Sequence, residues 1–438
     1  MSVFLRPPIV LAGALAAGLC VAAPARAEWI YGRLMPQAPS IQADGHSGSV
    51  NVSNDGKTVV FSSEATNWLP DTELNNKAIA VDLDTGLIEV VSRTTAGAVL
   101  RGESPAVSRD GRYVAFLNYA QNLDLGFPTS NWQVVRKDRL TGVLALVTAN
   151  QAGDPVTGNG NDDDTVSISG NGRYVAFESA AQIFGYPVPD GSTQIFVKDM
   201  DTGAVELASE SSTGGASPNG CAIYPNALSD DGRFIVLLCN NALVPGAGTW
   251  QTYVRDLVAN TTEVISRASG ANGAPSTAFS NRAAISPSGR FVVFQNPTYG
   301  GLGGDPDTHS GIYMRDRATQ TTVSIPAPAV SGLGSCYQSD VSDAGTVLME
   351  CSTNPTTNVY LHVPGVAGSP LLVSTGPGSV PGNGQSGYSL AVDASGLSMA
   401  FESDATNLDP DDTNERTDIF LLVDSDLLNR IFGDGFED

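Results

Sequence analysis

The sequence predicts an all-β fold, a seven-bladed β-propeller of four-stranded antiparallel blades, closed by an N-terminal strand that completes the last blade. Three observations carry this expectation. A Gly-bearing turn between two apolar runs recurs seven times, with successive turn glycines 55, 61, 60, 57, 56 and 51 residues apart. Repetition at a fixed period of this size marks a repeat architecture. Within each unit the apolar residues follow the strand period, with no helical periodicity anywhere, and four strands per unit make one blade.

Strands A and B flank the turn. The seven turns are Ser53-Asn54-Asp55-Gly56-Lys57 before TVVFSS, Ser108-Arg109-Asp110-Gly111-Arg112 before YVAFLN, Ser169-Gly170-Asn171-Gly172-Arg173 before YVAFES and Ser229-Asp230-Asp231-Gly232-Arg233 before FIVLLC. Ser286-Pro287-Ser288-Gly289-Arg290 before FVVFQN, Ser342-Asp343-Ala344-Gly345-Thr346 before VLMECS and Asp393-Ala394-Ser395-Gly396-Leu397 before SMAFES follow. Asp-Gly or Asn-Gly between apolar runs is a strong hairpin signal, because Gly accepts the positive φ of a tight turn. Strand C follows in KAIAVDLDTG, WQVVRKDRLTG, QIFVKDMDTG, TYVRDL, GIYMRDR and DIFLLVD; after a polar turn, strand D follows in LIEVVSR, VLALVTA, AVELASE and TEVISRA.

The seventh unit supplies A, B and C up to Asp424 and then runs into DLLNRIFGDGFED, which is no obvious fourth strand. Trp29 to Met35 (WIYGRLM) precedes the first blade without an A strand of its own. Pairing this strand with the last blade ties the termini together and protects a sheet edge. The expected organisation is a signal peptide at 1–27, the propeller at 28–425 and an acidic tail at 426–438.

The run S-x-D-G-R-Y-V-A-F at 108–116, followed at blade spacing by I-F-V-K-D-M-D-T-G at 195–203, resembles the WD-like propeller repeat of TolB-type periplasmic proteins. The resemblance covers residues 29–424 and implies a propeller. The sequence departs from TolB in lacking a separate N-terminal α/β domain and in having seven blades where TolB has six, so a Tol-system role is not implied.

Residues 1–27 read as a secretory signal, with Arg6, an apolar stretch from Ile9 to Ala23 and an A-x-A site at Ala25-Arg26-Ala27. Cleavage after Ala27 would remove Arg6 and Arg26 and no acid, and the expected location is periplasmic or secreted. Cys20 follows Leu19 rather than a small residue, which disfavours lipidation. The remaining cysteines are Cys221, Cys239, Cys336 and Cys351. Each pair is centred on the A–B turn of its own blade, and residues equidistant from a hairpin turn face one another, so Cys221–Cys239 and Cys336–Cys351 are expected as disulfides. Without a Cys-x-x-Cys they read as structural staples.

Lys and Arg number 23 against 46 Asp and Glu, a net charge of −23. A balance this acidic argues against nucleic-acid or anionic-membrane partners, and no apolar run of the expected mature chain reaches membrane-spanning length. B–C and D–A loops should share one face, where Asp71, Glu73, Asp162-Asp163-Asp164, Asp190, Asp305 and Asp307 fall. The richest loop is Asp409-Pro410-Asp411-Asp412-Thr413-Asn414-Glu415-Arg416-Thr417-Asp418. Asp409, Asp411, Asp412, Asn414 and Asp418 offer the closely spaced oxygens Ca²⁺ takes, although the EF-hand spacing is absent; turn-forming Asp and Asn are the competing explanation.

Only His46, His309 and His362 exist, and His362 lies in a third strand, which makes a three-His metal centre geometrically poor. No G-x-S-x-G elbow occurs, and no catalytic residue is nominated. Trp68, Trp132, Tyr186, Trp250 and Tyr299 fit packing between blades or stacking on sugars. The tail resembles short Asp-Gly-Phe-Glu endings of exported bacterial proteins. The expected role is a noncatalytic, monomeric binding or scaffold module facing an envelope or extracellular protein or glycan. The alternative is a polysaccharide-active lyase or hydrolase at the central channel.

Overall fold

The structure is a computed structural model that describes residues 29–36, 41–70, 76–119, 132–156, 165–189, 191–296, 302, 309–366 and 370–424. The expected signal segment at 1–27, the expected tail at 426–438, Asp71, Glu73, Asp162, Asp163, Asp164, Asp190, Tyr299, Asp305 and Asp307 lie outside the described residues.

The described residues form seven four-stranded antiparallel sheets. Strands A to D run Ser47–Val52, Thr58–Ser63, Lys77–Asp82 and Ile88–Val90 in blade 1, and Glu103–Val107, Tyr113–Tyr119, Trp132–Asp138 and Leu144–Leu146 in blade 2. Blade 3 has Val166–Ile168, Tyr174–Ser179, Gln194–Asp199 and Val205–Leu207; blade 4 has Cys221–Ala222, Phe234–Cys239, Gln251–Asp256 and Thr261–Val264. Blade 5 has Asn281–Ile285, Phe291–Gln295, His309–Asp316 and Thr321–Pro326; blade 6 has Cys336–Val341, Val347–Ser352, Thr357–His362 and Leu371–Leu372. Blade 7 takes A, B and C from Ser386–Val392, Ser398–Ser403 and Asp418–Asp424, and its fourth strand is Trp29–Arg33. That strand pairs antiparallel with strand C, Trp29 opposite Asp424 and Arg33 opposite Phe420, so the ring closes as expected. A short hairpin, Thr375–Gly376 with Val380–Pro381, joins blades 6 and 7 and was not foreseen.

The turn motif repeats for hydrogen-bonding reasons. In blade 1 the Ser53 hydroxyl donates to Asp55 (2.6 Å) and accepts the Thr58 N–H (2.9 Å), while the Lys57 N–H donates to Asp55 (3.1 Å). Ser108 with Asp110, Ser169 with Asn171 and Ser229 with Asp231 repeat these contacts. The turn glycine sits at positive φ in every blade, for example 75° at Gly56, where a Cβ is disfavoured. The Arg after it forks onto the Asp that ends strand C, as in Arg112–Asp138 and Arg173–Asp199, and lies over the adjacent ring of Tyr113 or Tyr174. Arg112 holds Asp138 well below the ordinary carboxylate range, at about 2.

Blades pack face to face through the middle of strand B. Phe61, Phe116, Phe177, Phe294 and Phe401 are fully buried there, with Leu237 and Met349 in blades 4 and 6. Each such burial contributes roughly 1.5–3 kcal/mol. Both disulfides form as expected, joining residues directly opposite in the A–B pair of blades 4 and 6.

A backbone belt links the A–B turns around the axis. Asp55 N–H donates to Arg109 O (3.0 Å), Arg109 to Gly170 (2.9 Å), Gly170 to Asp230 (2.9 Å) and Asp230 to Pro287 (2.7 Å). Asp343 donates to Ala394 (2.9 Å) and Ala394 to Asn54 (3.2 Å). Pro287 has no N–H to continue the chain; Ser288 N–H bridges the gap by donating to the Asp343 carboxylate at 2.8 Å. Inside the belt, the residue just before each A–B turn is aliphatic: Val52, Val107, Ile168, Leu228, Ile285, Val341 and Val392 are all buried. Across the axis Asn51 donates to Asn226 (2.8 Å) and Asn226 to Asp340 (2.7 Å). The space left is about 20 Å³, room for about one water. The channel is plugged on the turn face.

Candidate functional site: the channel mouth on the loop face

With one end plugged, the channel is a depression that opens where the A strands begin. Those strands do not run straight into it. Their ladders slip between Gly48 and Asn51, Glu103 and Ala106, Asn281 and Ala283, Cys336 and Ser339, and Ser386 and Leu390. Bulges bend a strand and re-aim its side chains. Ser49, Ser104, Arg282 and Gly387 take positive φ there.

In blades 1, 3 and 7 the residue after the buried core residue of strand B accepts a backbone N–H from the next blade. Glu402 accepts from Ser49 N–H (2.8 Å) and the Ser389 hydroxyl (2.8 Å), joining blade 7 to blade 1. Gly48 makes room for it, since a Cβ there would lie 2.6 Å from the Glu402 carboxylate. Glu178 of blade 3 accepts from Ile223 N–H of blade 4 at 2.7 Å. In blade 1 the position is Ser62, which accepts from Ser104 N–H at 3.1 Å. Glu350 holds the position in blade 6: burial pushes its carboxyl up to about 7, with the Arg282 charge opposing the rise. Burial also raises Glu402.

Arg282 hydrogen-bonds Gln338, and Glu103 accepts from Arg101 (2.6 Å) and Asn76 (3.1 Å). A hollow of about 380 Å³ lies beside Glu103 and Glu402 and reaches His46 and Thr417. Tyr337 and Tyr388, in the bulged A strands of blades 6 and 7, are 39% and 59% exposed.

The loop from Asp409 to Asp418 meets this hollow at Thr417. The structure brings Asp409, Asp412 and Asp418 together around Arg33 of the closing strand, at 3.0, 2.9 and 2.8 Å. The Arg33 side chain is only 2% exposed. Asn414 donates to Ala43 O at 3.1 Å, and Asp411 presents its backbone carbonyl to Gln42. Three acids share one cation, so burial raises Asp418 to about 6 despite Arg33. Sequence reasoning gathered the acids and missed the arginine, which lies 385 residues from Asp418. Among the described residues no group of three or more His, Cys, Asp or Glu is arranged to hold a metal ion.

The histidines sit in different blades. His46 precedes strand A of blade 1 and accepts the Thr417 N–H at Nδ1 (3.0 Å); His309 begins strand C of blade 5; burial lowers the His362 pKa. Among the candidate aromatics, Trp68 is buried and donates to Ser63 (2.8 Å), Trp132 packs edge-on against Tyr119, and Tyr186 packs against Phe196. Trp250 is 44% exposed.

No family profile matches the sequence, and no curated protein matches it. Solved structures do match. The β-propeller domain of the Trilobed protease from Pyrococcus furiosus aligns over 82% of this chain and 89% of its own at 12% identity, TM-score 0.50. The fold is what they share. An acylaminoacyl peptidase from Pyrococcus horikoshii aligns over 83% of this chain but 49% of its own, at 11% identity and TM-score 0.50, so this chain spans about half that protein's length. TolB from Acinetobacter baumannii, 13% identical over 73% of this chain and 61% of its own, aligns at a TM-score of 0.40, too low to carry an argument. The P. furiosus domain is described as having an open velcro topology, whereas here Trp29–Arg33 closes the ring.

Proposed function

We propose that this is an exported, noncatalytic binding or scaffold module that presents the loop face, centred on the channel mouth, to an envelope or extracellular protein or glycan. The observation that supports the reading best is the state of the mouth: Glu402 and Glu103 are held by donors of the protein itself, while Tyr337 and Tyr388 project from rigid strands. Exposed tyrosines on a fixed scaffold suit recognition at low entropic cost. The two disulfides fit an oxidising compartment. Among the described residues no helix is long and apolar enough to cross a membrane. The test is an envelope pull-down and a glycan array, each run with the wild type and a Tyr337→Ala/Tyr388→Ala variant. A ligand retained by the wild type and lost by the variant supports the reading; equal retention, or no ligand in either assay, counts against it.

A second reading is a polysaccharide-active enzyme, favoured by Glu350, whose carboxyl at about 7 suits a general acid. New reducing or unsaturated ends released by the wild type, and not by Glu350→Gln, would establish it.

For the 409–418 loop we propose that Arg33 supplies the charge that calcium would otherwise bring. Equal melting temperatures in calcium and in chelator are expected, and a clear rise with calcium would overturn this.

A further inference from the structure

We propose that the cleft between blades 3 and 4, beside the Gly232 turn, is a receptor for an arginine side chain of a partner protein. The internal repeat supplies the template. At the junction of blades 1 and 2, Arg139 follows the Asp that ends strand C and donates to the turn carbonyl of Gly111 (2.7 Å) and to Glu89 of strand D (2.9 Å). At the junction of blades 4 and 5, Arg317 stands in the same place, donating to Gly289 O (2.5 Å) and Glu263 (2.6 Å) with its guanidinium 4.1 Å from the centre of the Phe234 ring. Between blades 2 and 3 the strand D residue is Ala145; there its strand C partner Arg136 donates to Gly172 O and lies 4.4 Å from the centre of the Tyr113 ring.

Between blades 3 and 4 the acceptors persist and the arginine does not. Tyr174 supplies the ring, Gly232 the turn carbonyl and Glu206 the strand D acid, all three lining one cleft. The position of Arg139 and Arg317 is Leu257, and that of Arg136 is Val197. Among the described residues nothing donates to Gly232 O, and Glu206 has no ion-pair partner within contact distance. Arg255 is engaged elsewhere, with Glu210, Asn260 and Thr262. Burial raises the Glu206 pKa, Arg255 lowers it and Glu210 raises it.

The resulting cleft measures about 720 Å³, within the size range of ligand sites and well beyond one guanidinium. The extra length along Tyr186 and Val258 leaves room for the chain that carries the arginine. A planar guanidinium can lie on Tyr174 while its fork donates to a carbonyl and a carboxylate, which a lysine cannot reproduce. The cleft shares no lining residue with the hollow at the channel mouth, so either reading can fail without the other.

The experiment is a titration of ¹⁵N-labelled protein with acetyl-Gly-Arg-Gly amide and with its citrulline and lysine counterparts, followed by amide shifts. The arginine peptide should move the Gly232 and Glu206 resonances and bind at least tenfold tighter than the citrulline peptide. Glu206→Gln should weaken it about tenfold. Leu257→Arg, which rebuilds the internal plug, should abolish binding while keeping the wild-type melting temperature or raising it. Equal shifts with arginine and citrulline, or undiminished binding by a folded Leu257→Arg protein, would overturn the proposal.

Discussion

Replacing Arg33 of the closing strand by Ala removes the cation that Asp409, Asp412 and Asp418 share. The Arg33 side chain is 2% exposed, and those of Asp412 and Asp418 are 2% and 4% exposed. Removing one partner of a buried ion pair costs about 3–5 kcal/mol, because the remaining charges stay buried and unpaired. The pH dependence has a definite sign. The folded Asp418 pKa, at about 6, already lies above its ordinary value of 3.8, and losing Arg33 raises it further. An acid raised on folding stabilises most at low pH and loses that contribution as pH rises through its folded value. The defect in Arg33→Ala should therefore be largest at pH 8 and shrink towards pH 5. Urea denaturation of both proteins at the two pH values measures this, and hydrogen exchange should quicken along Asp418–Asp424. A loss below about 1 kcal/mol, or the same loss at both pH values, would refute the buried-cluster account. Recovery on adding calcium would show that the loop holds a metal once the arginine is gone.

Three further outcomes are expected. Removing the Cys221–Cys239 pair as a double Ser variant should cost about 3 kcal/mol, the closure entropy of a loop of this size with its 18-residue separation; an unchanged denaturation midpoint would mean that the blade holds itself shut. Asp340 and Glu350 are both raised to about 7 by burial, so stability should fall as pH climbs from about 4 to 7, and scanning fluorimetry should give a lower melting temperature at pH 8 than at pH 5; a flat profile would contradict their burial as neutral acids. Gly48→Ala should push Glu402 off the Ser49 N–H and cost about 1–3 kcal/mol, read by thermal unfolding; no change would mean that the carboxylate moves aside freely.

The turns were legible because their chemistry is local: Ser53, Asp55 and Gly56 satisfy one another within a few residues. The disulfides followed from the same symmetry, since Cys221 and Cys239 are equidistant from one turn. Ring closure was readable because a strand was missing at one end and spare at the other. Contacts that join distant blades were not. Nothing near Arg33 in sequence points to Asp418, and nothing near Pro287 shows that Asp343 of the next blade must lend its side chain to the belt. The mouth was hidden for another reason. Glu350 and Glu402 sit in strands where an acid reads as an outward-facing polar residue, and it is the bulged A strands, as with Ser49 and Ser389 at Glu402, that bring donors to meet such an acid. The vacancy at Leu257 was visible only against Arg139 and Arg317, once strand register aligned the blades.

The central claim is that the mouth of a plugged, closed ring is the recognition surface. Hydrogen–deuterium exchange of the protein bound to the ligand recovered from the envelope or the glycan array tests it directly. Protection should gather in the bulged starts of the A strands, around Ser49, Ser104, Gln338 and Ser389. Protection confined to the outer D strands, with those segments unchanged, would contradict the account.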